Sequence, residues 1–172
     1  MKTYFISDTH FGHKNIIRYC NRPFNDVEEM NNIMINEWNS IIQPDDIVYH
    51  LGDFCLGDRD VIKKYLARLS GRKMIVLGNH DKYRPTEYME LGFEWSSRFP
   101  IIFNQFMILS HEPVFLEANS PYCNLYGHLH QNKYESPNGN HLCVCVEQID
   151  YKPISLDDVS DIFYERGIKS EK

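Results

Sequence analysis

The sequence predicts an α/β sandwich, with sheets inside and helices outside, built as one domain over residues 1–172. Three observations predict it. Short apolar runs alternate with amphipathic helical segments through the first half, which is the pattern of a parallel sheet crossed by helices. Each of the first three runs stops at a polar turn, so side chains with chemistry gather where strands end. The 42% hydrophobic and 24% charged content is that of a globular chain, and 172 residues suffice for one ordinary core.

Residues 4–7 form the first strand, and Asp8-Thr9-His10 follows where the chain leaves it. Asn25-Asp26 caps a helix running to about Gln43, because Val27, Met30, Met34, Trp38 and Ile41 recur at helical spacing and Pro44 stops it. Its apolar face must be buried, over the site or in an interface. Residues 46–51 make the second strand, closed by Gly52-Asp53, and residues 74–77 the third, closed by Gly78-Asn79-His80-Asp81. Between them residues 59–69 read as a helix with Val61, Tyr65, Leu66 and Leu69 inward, ended by Ser70-Gly71. In the second half, residues 100–103 and 106–110 form a hairpin around Asn104-Gln105, a turn without glycine. Short strands follow at 124–126 and 142–146. Ser155 then caps a last helix with Asp157 and Asp158 in its first turn, Val159, Ile162 and Phe163 inward, and Gly167 at its end.

A net charge of -6 and a pI near 5.7 exclude a general nucleic-acid coat. Five cysteines, with no Cys-x-x-Cys pair, exclude a disulfide framework. Cys143 and Cys145 alternate onto one face of a strand as small buried hydrophobes. The chain reaches Asp8 before any signal-peptide apolar region could form, and no run is long enough to span a bilayer. The expectation is a cytoplasmic protein with no membrane partner.

The chemistry lies in five motifs in fixed order: Asp8-x-His10, Gly52-Asp53, Gly78-Asn79-His80-Asp81, Ser110-His111 and Gly127-His128-x-His130. Asp8 and Asp53 follow apolar strands, where burial penalises their charge unless a cation meets them. His10 can turn back to the same ion. His128 and His130 present two imidazoles from one extended segment, Asn79 offers a carbonyl oxygen, and His111 adds another imidazole. Together these are ligands enough for two neighbouring divalent ions sharing one carboxylate. Asp-x-His and His-x-His are individually common. Gly-Asn-His-Asp between an apolar strand and a loop carries more weight.

In this order the motifs resemble those of the calcineurin-like metallophosphoesterase superfamily, from Asp8 to His130. The chain is particularly similar to the small bacterial and phage type that begins Ser7-Asp8-Thr9-His10-Phe11-Gly12-His13-Lys14-Asn15-Ile16-Ile17, followed by Arg22-Pro23-Phe24. The resemblance implies a four-layer α/β/β/α sandwich with a dimetal site at the strand ends. It places Asp8, His10, Asp53 and His130 on one metal and Asp53, Asn79, His111 and His128 on the other, with Asp53 bridging. The N/O donors suit manganese first, with iron, zinc, nickel or cobalt as alternatives. The implied activity is hydrolysis of phosphate esters by a hydroxide between the metals. His80 then reaches the scissile phosphate, as acid or charge-stabilising donor, and Asp81 orients that imidazole or caps a helix. The expected partner is a small phosphate ester, such as a nucleotide; the oligomeric state is left open. No insertion closes the site, which favours phosphodiesters, nucleotide-type or cyclic. A phosphomonoesterase on the same site is the alternative, and a non-catalytic protein-binding module, as in relatives that have lost ligands, is a further one.

Outside the ligand set, His13, Lys14 and Arg18 could form a cationic rim in contact with substrate. Arg22 could clamp a phosphate, or pair with Asp26, Glu28 or Glu29. His50 is expected as a hydrogen-bonded core histidine, and His141, after the Asn138-Gly139-Asn140 turn, as exposed.

Overall fold

The computed structural model describes residues 1–136 and 138–168. Four strands, β1 (Thr3–Ile6), β2 (Ile47–His50), β3 (Arg72–Val76) and β4 (Trp95–Ser97), run parallel in the order β4-β3-β2-β1. A two-residue strand, β9 (Ile154–Ser155), closes this sheet antiparallel to β1. Ile6 pairs with His50 and His50 with Ile75, so β1, β2 and β3 finish almost level. That register brings the three polar turns of the first half to one edge.

Both faces of this sheet are covered, which is why its strands are apolar without strict alternation. On one face lie α1 (Lys14–Tyr19), α2 (Val27–Ile41), α3 (Arg59–Leu66) and α4 (Pro85–Leu91). Tyr4, Ile6, Val48 and Ile75 pack there against Met30, Met34, Trp38, Ile62 and Tyr88. The other face carries Phe5 and Val76 against Met107, Leu109, Cys123 and Leu125 of a second sheet. Its strands are β5 (Ile101–Phe103), β6 (Met107–Leu109), β7 (Cys123–Tyr126) and β8 (His141–Cys143), in that order, with β6 to β8 parallel. The last helix, α5 (Leu156–Glu165), adds Val159 and Phe163 to the core between the sheets.

Local chemistry explains most boundaries. Asp26 accepts from the Glu29 amide at 2.8 Å and starts α2, while Ser155 accepts from the Asp158 amide at 3.1 Å and starts α5. The helix at 27–41 covers the sheet rather than an interface: its buried Asn31 accepts from the Gly12 amide at 3.1 Å, beneath the first motif. The hairpin between β5 and β6 turns through Asn104 (φ 47°) and Gln105 (φ 67°), the left-handed backbone that the turn demands, here without glycine.

Two expectations are corrected. The strand expected over 142–146 ends at Cys143, after which the chain crosses between sheets: the Val144 amide donates to Tyr126 O at 2.8 Å, and the Ser7 amide to Val144 O at 2.8 Å. This stitch carries the chain into a 3₁₀ turn, Val146–Gln148, directly behind the first motif. His141 is buried, not exposed, because Nε2 meets Val114 O at 2.7 Å and Nδ1 meets Ser136 Oγ at 2.9 Å. Among the described residues, no helix is long and apolar enough to cross a membrane.

Candidate metal centre

Every motif leaves the carboxyl end of a parallel strand: β1, β2 and β3 from the first sheet, β6 and β7 from the second. The turns are tight enough to force unusual backbone. Asp8, His10, Asp53, His128 and His130 all hold positive φ, between 49° and 70°, a region that side chains with a Cβ rarely occupy. Each such residue costs on the order of 1–3 kcal/mol, and a fold retains them together where a site requires it. Gly52 shows the crowding: at φ +95° its missing Cβ would lie 2.5 Å from His111 Nδ1.

Asp8 is buried, and its two oxygens have different surroundings. Oδ2 receives the His128 amide at 2.8 Å and the Cys145 thiol at 3.2 Å, with Ser7 Oγ 2.5 Å away. Oδ1 has no hydrogen-bond partner and faces His130 Nε2 at 3.8 Å and His10 Nε2 at 3.9 Å. His10 Nε2 is also buried without a partner, 3.5 Å from Asp53 Oδ2. Asp53 Oδ2 stands 3.6 Å from His111 Nε2 on its other side. Around His111 Nε2 converge Asn79 Oδ1 at 2.9 Å and His128 Nδ1 at 3.2 Å.

The tautomers follow from what lies behind the rings. His111 Nδ1 faces the Leu51 carbonyl at 2.8 Å, so Nδ1 carries the proton and Nε2 turns a lone pair inward. His130 Nδ1 donates to Glu147 Oε1 at 3.0 Å, leaving its Nε2 bare toward Asp8. Imidazole nitrogens and acceptor oxygens thus crowd one another, and although burial opposes it, Cys20, Glu147 and the Asp8 charge raise the His130 pKa to about 10. Burial holds the Asp53 carboxyl above its ordinary range, and the Asp8 charge adds to this. Cations relieve that arrangement, so the residues fit divalent ions. Asp8, His10 and His130 bring ligand atoms within 4.8 Å of one another, as do Asp8, Asp53 and His111, and Asn79 and His128 adjoin His111.

His80 stands apart. Its amide donates to Asp53 Oδ1 at 2.8 Å, while its exposed ring lies 5.4 Å from that of His10. Asp81 does neither job expected of it. Its buried carboxylate accepts from the amides of Asp53 (2.8 Å), Gly78 (2.8 Å) and Phe54 (3.3 Å) and from Tyr88 OH (3.1 Å). It therefore fixes the two loops carrying Asp53 and Asn79, and the next helix is capped at Arg84 instead. Burial pushes its pKa up to about 6 in spite of those amides.

Arg22 is also placed differently from expectation. Its buried guanidinium donates to Asp8 O (2.7 Å) and Thr9 O (3.0 Å), pairs with Glu147 at 2.8 Å and touches α2 at Met30 Sδ (3.5 Å), so it braces the first motif instead of pairing with Asp26, Glu28 or Glu29. His13 lies on the rim, its ring 5.3 Å from that of His10, and exposed Arg18 sits over the Tyr19 ring. His50 is wholly buried. Thr9 Oγ1 gives its proton to Phe54 O at 2.7 Å and so accepts from His50 Nε2 at 2.9 Å, supporting the loop from below. Two contributors had no sequence signal: Glu147, in an unpatterned turn, and Cys145, whose thiol touches Asp8.

The centre meets solvent on the side of exposed Asn79 and His80. A hollow of about 360 Å³ lies elsewhere, lined by Lys133, Tyr134, His141 and Arg166 among others, and no motif histidine borders it.

Comparison with known proteins agrees with this geometry. Residues 1–168 match the calcineurin-like phosphoesterases. An uncharacterised protein of Methanocaldococcus jannaschii is 39% identical over 166 residues, covering 91% of this chain and 88% of its own. The gene 66 protein of Mycobacterium phage L5 is 38% identical over 86 residues, 48% of this chain and 41% of its own. A crystal structure of an Aquifex aeolicus protein of unknown function superposes with a TM-score of 0.73 at 29% identity, covering 94% of this chain and 98% of that one.

Proposed function

The chain belongs to the calcineurin-like phosphoesterase family, and from that premise we propose that it hydrolyses phosphate esters at the Asp8–His130 centre, with phosphodiesters, nucleotide-type or cyclic, as its preferred class. The observation that carries the proposal is the convergence of carboxylate and imidazole donors, with Asp8 Oδ1 and His10 Nε2 buried and unpartnered. Two divalent ions bound there supply Lewis acidity, activate water and neutralise phosphoryl charge. Manganese is the first candidate for a wholly N/O donor set.

The chain's own residues do the rest. Asp53 is fixed by His80 N on Oδ1, which leaves Oδ2 to serve both positions. Arg22, Glu147 and His50 hold the first motif and His130 from behind, so the ligands need no rearrangement to take up their ions. The exposed His80 imidazole is free to give a proton or hydrogen bond to the leaving oxygen. His13 and Arg18 on the rim meet the part of the substrate beyond the phosphate. The exposure of Asn79 and His80 favours the diester reading, since the substituent that stays on phosphorus can extend into solvent on that side. Five unpaired thiols suit the reducing cytoplasm, the location we propose.

The test is hydrolysis of p-nitrophenyl phosphate and its bis-ester by protein stripped with chelator and reloaded with single metals. Faster turnover of the bis-ester supports the full proposal, and faster turnover of the monoester replaces its substrate class. Turnover of neither, with any metal, removes the catalytic reading in favour of a binding module.

A further inference from the structure

Behind His130, on the side away from the paired positions, lies a second group of metal-ligating atoms. Cys20 closes the C-terminal end of α1, its amide bonded to Ile16 O at 2.9 Å. Glu147 arrives on the 3₁₀ turn after the crossing between sheets. The Cys20 thiol, a Glu147 oxygen and a ring nitrogen of His130 lie within 4.8 Å of one another. The Glu147 side chain is only 5% exposed, and its Oε2 has no hydrogen-bond partner, although Oε1 has Arg22 and His130. A buried carboxylate with one oxygen unpartnered, in a side chain that also meets a thiol and an imidazole, leaves a desolvated acceptor uncompensated.

We propose that Cys20, His130 and Glu147 form an accessory site for a soft divalent transition ion of the zinc class. Three protein ligands of S, N and O type leave a fourth tetrahedral position for water. The half-buried Cys20 gives the ion a route from solvent. Arg22, 2.8 Å from Glu147, opposes any cation entering here, so only an ion with a strong thiolate bond overcomes that repulsion. Magnesium and manganese, which favour oxygen donors, are thereby excluded.

The site is coupled to the paired centre through one ring. His130 Nδ1 now carries a proton to Glu147 and offers Nε2 toward Asp8. An ion at the accessory site takes Nδ1; the thiol proton is released to solvent, and the ring proton leaves Nδ1 and is regained at Nε2. A neutral imidazole gives its lone pair to one ion at a time, so filling the accessory site withdraws His130 from the other position. Zinc bound there is an inhibitor.

Cobalt(II) titration of the whole protein tests this without reference to turnover. Every ligand of the paired centre is N or O, so a thiolate-to-cobalt charge-transfer absorption reports a sulfur-containing site outside that ligand set, and the Cys20 variants assign it. The expected result is that absorption at loadings beyond two equivalents, its loss in Cys20→Ser with the cobalt d–d bands retained, and a zinc affinity at least tenfold weaker in Cys20→Ser. Circular dichroism establishes that the variant is folded, and Cys20→Ala provides a second replacement. An absorption that persists in both variants would come from another thiol, and its absence from folded, cobalt-loaded wild type would leave the site without sulfur; either overturns the proposal.

Discussion

His50 makes the fold acid-sensitive. It is wholly buried as the neutral Nε2–H tautomer donating to Thr9, and its Nδ1 has no partner. Burial, reinforced by His111, pushes its pKa down from 6.5 to about 3. The sign follows from proton counting: below pH 6.5 the unfolded chain binds a proton that the folded chain refuses, so stability falls as pH falls toward 3. One pKa difference is worth about 1.4 kcal/mol per unit. Between pH 7 and pH 5 this amounts to about 2 kcal/mol lost through one side chain. Gln at position 50 keeps an amide donor near Nε2 and cannot titrate. Urea unfolding of metal-free wild type and His50→Gln at both pH values isolates the effect, because the other histidines titrate in both proteins. The wild type is expected to lose about 2 kcal/mol more than the variant. Equal losses would refute the neutral buried tautomer.

Three further outcomes follow from the same geometry. Glu147→Gln removes the counter-charge of buried Arg22 and replaces the charged acceptor for His130 with a neutral one, so it should cost about 3 kcal/mol in urea unfolding and weaken Mn²⁺ binding by about 10–100-fold in calorimetry. His80→Ala should retain its metal content by elemental analysis while kcat falls by about 10²–10⁴-fold; loss of metal would place His80 among the ligands. Gly52→Ala introduces a Cβ 2.5 Å from His111 Nδ1 at φ +95°, and thermal melts should show a loss of at least about 3 kcal/mol.

Much of this was legible in the sequence because strand ends and motifs coincide. Apolar runs ending in Gly52-Asp53 and Gly78-Asn79 locate the edge where ligands meet, and helical spacing from Val27 to Ile41 identifies the largest covering helix. Shorter elements escape such reasoning. The helix Pro85–Leu91 has only two turns, and the strand Trp95–Ser97 has no apolar alternation. The roles of Arg22, Asp81 and Glu147 depend on partners distant in sequence: Arg22 and Glu147 are 125 positions apart. Local signals for Asp81 pointed to a neighbouring ring or helix, whereas burial turned its carboxylate to three backbone amides. His141 followed a turn signal and was covered by the Val114 carbonyl, a contact that only the packed second sheet creates.

On the proposed function, one chain holds two ions that share Asp53. Electron paramagnetic resonance of stripped protein reloaded with Mn²⁺, read beside the bound metal content, tests it most directly. Two ions per chain with an exchange-coupled spectrum are expected, with loss of the coupling in Asp53→Asn. A single ion per chain at saturation, or two ions without coupling in the wild type, would contradict it.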